Sequence, residues 1–362
     1  MDSKLIALSK RRVEKVKSQM RSSGIDTSLV FGSGLVNTML ERFSGSSSGS
    51  VLVIPDEGEP TLVVMPIDFI YASDNAWVKV VEVPPRDSVN RDWSNTVEEI
   101  IGKNVKKIGA ATGSLDSRKD WLKKLDAVTV DIRDSILNPI FSSLDPVEWP
   151  YQRVITEVVD VGERVASELI RPGISTNEVA AEIAKAELKA GATGVGYLQV
   201  STGVRSAYSH DVAENKRIKN GDLVLVDLCP TRNGYGSDET RTYIAGNGSA
   251  KSKKMIQAVN KSVESVLKAI TLGRNAGELD EISRKSLSSD GYPSYPHTLG
   301  HPLSGCTHPA LRPGSRDLLE VGSIFTVEPG IYIQGYGGVR IEENVLITKK
   351  GGEVLTTRPR VL

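Results

Sequence analysis

Four acids and one histidine, Asp227, Asp238, Glu328, Glu342 and His301, stand in this chain where charge is costly. Asp227 follows the apolar run Leu223-Val224-Leu225-Val226, and Glu328 closes Ile324-Phe325-Thr326-Val327. An unpaired buried carboxylate costs several kcal/mol or more, so acids in such runs come with a cation or strong donors beside them. Taken singly, each reads as a strand-end residue. Taken together they read otherwise, because four ionised carboxylates cannot share a pocket without cations. Carboxylates plus one imidazole suit Mn, Co or Zn; a thiolate-free set argues against a structural zinc finger, and the imidazole against a pure Ca or Mg cage. Two such ions can activate a water and polarise a carbonyl together, which makes hydrolysis the expected chemistry.

The elements that must position these side chains occur twice. Extended segments near 223–228 and 235–244 flank Pro230-Thr231-Arg232-Asn233-Gly234 and carry Asp227 and Asp238. Segments near 323–333 and 338–347 flank Gly335-Tyr336-Gly337 and carry Glu328 and Glu342. Each pair reads as a β-hairpin, and helical stretches at about 150–190 and about 251–289 precede them. An internal duplication of helices followed by a hairpin would bring the four acids to a common axis. Within the first stretch, Pro172-Gly173 stops one helix and Ser175-Thr176-Asn177-Glu178 has the form of a capping box opening the next.

The residues around the acids carry a resemblance. Gly221-Asp222-Leu223-Val224-Leu225-Val226-Asp227, Gly234-Tyr235-Gly236-Ser237-Asp238-Glu239-Thr240-Arg241-Thr242, His297-Thr298-Leu299-Gly300-His301, Val327-Glu328-Pro329-Gly330-Ile331-Tyr332 and Gly338-Val339-Arg340-Ile341-Glu342-Glu343 resemble the pita-bread metallopeptidases. That family includes methionine aminopeptidase, aminopeptidase P and prolidase, and order and spacing match over roughly 190 to 350. The resemblance implies two divalent ions per chain, manganese or cobalt ahead of zinc. Asp227 would chelate one, His301 and Glu328 the other, with Asp238 and Glu342 bridging and Thr240 near the first. A hydroxide between the ions would attack the scissile carbonyl while Glu328 relays its proton. His210 resembles the family's substrate-side histidine, His308 its second catalytic histidine, and His297 a supporting histidine on the substrate side. Arg340 is expected to orient a substrate carboxylate or to hold a ligand. The loop His301-Pro302-Leu303-Ser304-Gly305-Cys306-Thr307-His308-Pro309 departs from relatives, which carry glycines and an acid there. Proline at 302 fixes φ and removes a donor, so the posture of His308 does not transfer from them.

Residues 1–140 read as an α/β domain resembling the creatinase/prolidase N-terminal domain, and 141–362 as an α+β pita-bread catalytic domain. The first 23 residues form a helix ended by Gly24. Strands follow at 28–31, 51–54, 61–64 and 77–81, the middle two joined as a hairpin. Helices near 94–103 and 117–125 then alternate with strands near 105–110 and 127–132. Ser44 to Ser50 reads as a mobile loop by composition, and Pro139, Pro146 and Pro150 mark the boundary. Methionine aminopeptidases lack such a first domain. The resemblance therefore implies hydrolysis of Xaa-Pro bonds, by a prolidase or an aminopeptidase P. A creatinase-like amidinohydrolase, or a catalytically silent relative that binds proteins, would not need all five ligand positions.

The chain has 362 residues, 39% hydrophobic, with 45 Lys+Arg against 45 Asp+Glu. No run of about 18 apolar residues occurs, and zero net charge recommends no nucleic acid as partner. Lys10-Arg11-Arg12 reads as the solvated face of the first helix. The N-terminal residues lack the apolar core of a signal peptide, and two cysteines, Cys229 and Cys306, make no disulfide framework, so a cytoplasmic address is expected. Both cysteines read as small apolar fillers beside site residues. Small peptides with proline second and another copy of the chain, as a homodimer, are the expected partners, with no membrane.

Overall fold

Leu5, Leu8, Val13, Val16 and Met20 recur at helical spacing and are buried along a helix Ser3–Ser23. Gly24 ends it at φ 61°, a left-handed conformation that costs a side chain energy and glycine little. The structure, a computed structural model, describes residues 2–32, 38–90, 92–111 and 120–360. Residues 117–119 of the helix expected at 117–125 lie outside them. The chain divides into two compact units, Met1–Phe141 and Ser142–Leu362.

In the first unit, β1 (Thr27–Phe31), β2 (Val51–Pro55), β3 (Thr61–Val64), β4 (Lys79–Glu82), β5 (Lys107–Ala110) and β6 (Val128–Asp131) form one mixed sheet in the order β4-β3-β2-β1-β5-β6. Leu29, Val53, Val63 and Ile108 pack with Val97 of the helix Ser94–Ile101, giving the α/β core. Two expectations are corrected here. Arg12 is buried, its guanidinium 4.8 Å from the Phe141 ring, because its long stem and planar charge both suit an aromatic face. Ser44 to Ser50 is stitched down, not loose: Ser44 Oγ donates to Leu40 O at 2.8 Å, Ser46 Oγ to Ser48 O at 2.9 Å, and both serines are buried.

The second unit repeats one design. Helices Trp149–Leu169 and Thr176–Lys189, the latter opened by a complete Ser175/Glu178 capping box, precede β7 (Leu198–Thr202), β8 (Leu223–Leu228), β9 (Thr231–Arg232), β10 (Tyr235–Gly236) and β11 (Glu239–Ile244). Helices Ala250–Ala269 and Ala276–Ser289 precede β12 (Ile324–Val327), β13 (Gly330–Ile333), β14 (Gly337–Arg340), β15 (Glu343–Thr348) and β16 (Gly351–Val354). The sheets run β11-β8-β7 and β12-β15-β16, with β13 and β14 as a separate hairpin. Val159, Val179 and Ile183 cover Val224 and Val226 in the first half, as Val266 and Leu279 cover Phe325 and Val345 in the second. The strand β7 has no counterpart in the sequence reading.

The halves are joined by polar groups. Thr242 Oγ1 donates to Arg340 O at 2.9 Å, and Glu342 N donates to Thr240 O at 3.0 Å. Arg241, fully buried, pairs with Glu239 at 2.7 Å and Glu343 at 3.2 Å, and donates to the carbonyl of Arg358 at 2.9 Å. Arg241→Ala is expected to lower the unfolding free energy of this unit by about 3–5 kcal/mol, since it strands two buried acids. Urea titration checks this; a loss under about 1 kcal/mol would show that the acids simply take up protons.

Candidate metal centre

Alternation along β8 turns Val224, Val226 and Leu228 to the helices and leaves Asp227 on the opposite face with Leu223. Asp238, Glu328 and Glu342 stand instead at interruptions: just before β11, between β12 and β13, and between β14 and β15. A break in the ladder releases a side chain from strict alternation and lets it be re-aimed. His301 lies in irregular chain after the helices, its amide donating to Thr326 Oγ1 at 3.1 Å and its carbonyl accepting from Thr326 N at 2.9 Å.

These residues meet. His301 Nε2 is 3.3 Å from Asp238 Oδ2 and 3.8 Å from Glu328 Oε1. Single ligand atoms of Asp238, His301 and Glu342 lie within 4.8 Å of one another. Arg340 closes the cluster from behind, with Nη2 2.5 Å from Asp227 Oδ2 and Nε 3.9 Å from Glu328 Oε2. Its Nε also donates to Thr240 Oγ1 at 3.0 Å, and Thr240 in turn donates to Glu342 Oε2 at 2.7 Å. All three guanidinium nitrogens of Arg340 meet protein groups.

Crowding sets the electrostatics. Burial first, then neighbouring acids, push Glu328 up to about 7, Glu342 up to about 8 and Asp238 well above the usual carboxylate range. Burial disfavours a charged His301, but the Asp238 hydrogen bond and the surrounding carboxylates outweigh it and raise the ring to about 10. Glu342 is 1% exposed, and its Oε1 has no hydrogen-bond partner. A buried acceptor without a donor, among acids short of positive charge, fits divalent cations held by oxygen and one imidazole nitrogen.

A sulfur lies beside the acids. Cys229 Sγ lies 3.1 Å from Asp238 Oδ1 and 4.0 Å from Asp227 Oδ1, and burial together with these acids raises its thiol well above the ordinary value. The other three histidines differ in their partners. His297 Nε2 is 2.9 Å from Tyr332 Oη and its Nδ1 2.7 Å from Thr298 O; burial lowers the ring to about 4, so it stays neutral. His210 is exposed, with its ring edge-on to Tyr197 at 5.8 Å, and the preceding residue's carbonyl, Ser209 O, accepts from Arg340 Nη1 at 2.9 Å. His308 Nδ1 lies 2.6 Å from Asp317 Oδ2. Two partners escaped the sequence reading. Tyr332, which also accepts from Arg340 Nη1 at 3.0 Å, was visible inside a quoted motif; Asp317 lies in irregular chain with no pattern to flag it.

Residues 153–349 match metallopeptidase family M24. The chain belongs to that family. It is 33% identical over 358 residues to an Xaa-Pro dipeptidase of Pyrococcus furiosus, across 98% of this chain and 99% of that protein. A putative dipeptidase of Bacillus subtilis is 29% identical over 97% of this chain and 99% of its own. Among solved structures, the prolidase of Pyrococcus horikoshii superposes with a TM-score of 0.85 at 28% identity, covering 97% of this chain and 99% of that one. An X-Pro aminopeptidase of Thermotoga maritima gives 0.82 at 27%, again over 97% and 99%. The metallopeptidase thus has the α/β first unit and pita-bread second unit that its motifs implied, and family M24 implies divalent metal ions. No helix among the described residues is long and apolar enough to cross a membrane.

Without cations, this metallopeptidase should lose stability as pH rises. Glu328 and Glu342 carry folded values of about 7 and about 8 against an ordinary 4.5, so the folded state holds protons the unfolded state has lost. His301, at about 10 against 6.5, contributes stability present below 6.5 and lost toward 10, with the same sign. The melting temperature of chelator-treated protein is expected to fall from about pH 6.5 to about pH 8, and added Mn²⁺ to restore more at the higher pH. An increment independent of pH would count against cation binding at these acids.

Proposed function

We propose that the chain hydrolyses Xaa-Pro peptide bonds with a binuclear centre. The observation that carries this is the convergence of Asp238, His301 and Glu342, with Glu328 beside His301, Asp227 grouped with Asp238, and one Glu342 oxygen without a hydrogen-bond partner. Similarity over nearly the full length to a protein described as an Xaa-Pro dipeptidase supports the substrate class.

Asp227 would hold one divalent ion, His301 and Glu328 a second, with Asp238 and Glu342 reaching both; manganese or cobalt is favoured, with zinc as an alternative. When bound, the pair supplies Lewis acidity at the scissile carbonyl and a water acidic enough to attack near neutral pH. Glu328, 3.8 Å from His301 Nε2, is placed to take the attacking proton and pass it to the leaving imino nitrogen. His210 and His308 stabilise the oxyanion or protonate the leaving group. Asp317 occupies His308 Nδ1, which gives that task to Nε2. Neutral His297 and Tyr332 line the substrate side, and Arg340 keeps Asp227 and the Ser209 carbonyl in place. Cys229 and Cys306 are not in a disulfide, which suits a cytoplasmic address, and a homodimer is the assembly to test by sedimentation.

Ala-Pro and a longer Ala-Pro peptide, assayed after loading with Mn²⁺, Co²⁺ or Zn²⁺, should separate dipeptidase from aminopeptidase. Either is expected to be cleaved while Met-Ala is not; equal rates on Met-Ala and Ala-Pro would refute the proline preference. Elemental analysis of loaded protein should give two ions per chain, and a value near zero in folded protein would sink the binuclear proposal.

His308→Ala is expected to keep its metals and lose about 10²–10³ in turnover, since it acts on the transition state. Asp317→Asn should lower kcat in the same direction by less, with KM little changed. Unchanged turnover in His308→Ala would show that the Pro302 loop carries it out of that role.

A further inference from the structure

Cys229 follows Asp227 by two positions, one residue past the end of β8, with its amide donating to Tyr197 O at 2.9 Å. Its sulfur reaches Asp238 Oδ1 at 3.1 Å and Asp227 Oδ1 at 4.0 Å. Ligand atoms of Asp227, Cys229 and Asp238 all lie within 4.8 Å of one another, and Asp238 is shared with the neighbouring group of His301 and Glu342. An independent observation points to a cation in the adjoining group, which shares Asp238. Glu342, 1% exposed and a member of that neighbouring group, has a carboxylate oxygen with no hydrogen-bond partner.

Resting on the metallopeptidase proposal above, we infer that Cys229 is a metal ligand, so that one cation position has an Asp-Cys-Asp donor set in place of carboxylates alone. Sulfur is a soft donor. At that position it selects thiophilic cations such as zinc and cadmium over manganese, which prefers oxygen, reversing there the order of metals given above. Capture of a thiophilic ion forms a metal–sulfur bond and expels the thiol proton to solvent, so binding releases one more proton than it would from a serine at this place. Cys306 provides an internal comparison. Its sulfur lies 3.0 Å from Ser304 Oγ and donates to His308 O at 3.0 Å.

Cadmium is the probe. Metal-free full-length protein, Cys229→Ser and Cys306→Ser are titrated with Cd²⁺ while thiolate-to-metal charge-transfer absorption is followed in the ultraviolet, and with Mn²⁺ by calorimetry. Wild type and Cys306→Ser are expected to develop the band. Cys229→Ser should lack it and bind Cd²⁺ about 10-fold or more weakly, with Mn²⁺ affinity little changed. A band that persists in Cys229→Ser, or Cd²⁺ binding to wild type without any band, overturns the inference and leaves the peptidase proposal standing. Failure of folded wild type, checked by circular dichroism, to bind either ion overturns both.

Discussion

Four carboxylates crowded beside one buried guanidinium form the constraint on which the second unit depends. Arg340 is 3% exposed, and burial works against its charge; the Tyr332 hydroxyl, Asp227 and Glu328 outweigh that and keep it charged. From one side chain it reaches Asp227 in the first half, Thr240 in the seam, Tyr332 in the hairpin and the carbonyl beside His210. One fixed cation and one imidazole do not balance four acids. Burial first, and then the neighbouring acids, raise Asp238, Glu328 and Glu342 above their ordinary range, so that without further positive charge protons make up the difference.

The duplicated design explains how such crowding is tolerated. Each half has its own helix-covered core, with Val224 and Val226 in one and Phe325 and Val345 in the other, so hydrophobic burial is secured away from the acids. Three of the four acids occupy breaks between strands, where side-chain direction can change without unpairing a long ladder. Threonines complete the arrangement. Thr240, Thr242 and Thr326 bond either to backbone across the seam or to the acids themselves, turning a junction of two sheets into a defined cradle.

Much of the fold was legible in the residues. The 3.6-residue spacing in Ser3–Ser23, the Ser175/Glu178 box and the two hairpins flanked by turn residues all appear where periodicity and turn chemistry put them. The stretch Ser44 to Ser50 was misread because composition alone cannot show that serine hydroxyls will find backbone partners and bury. Arg12 was misread for a related reason, since a basic residue on a helix looks solvated until an aromatic ring is placed over it.

The residue types of the centre were determined by the sequence itself: acids in apolar runs announce a cost that only charge compensation can meet, whatever the packing. Which atoms meet was decided only by the tertiary structure. Asp238 touches His301 across 63 positions of chain, Cys229 joins the acids, Asp317 takes His308 and Arg340 turns inward to Asp227. Those contacts depend on where strand breaks aim side chains and on how two separately folded halves are brought together. Neither leaves a periodic trace in the sequence, because the 3.6 and 2.0 periods report a residue's own helix or strand and not the distant group it faces.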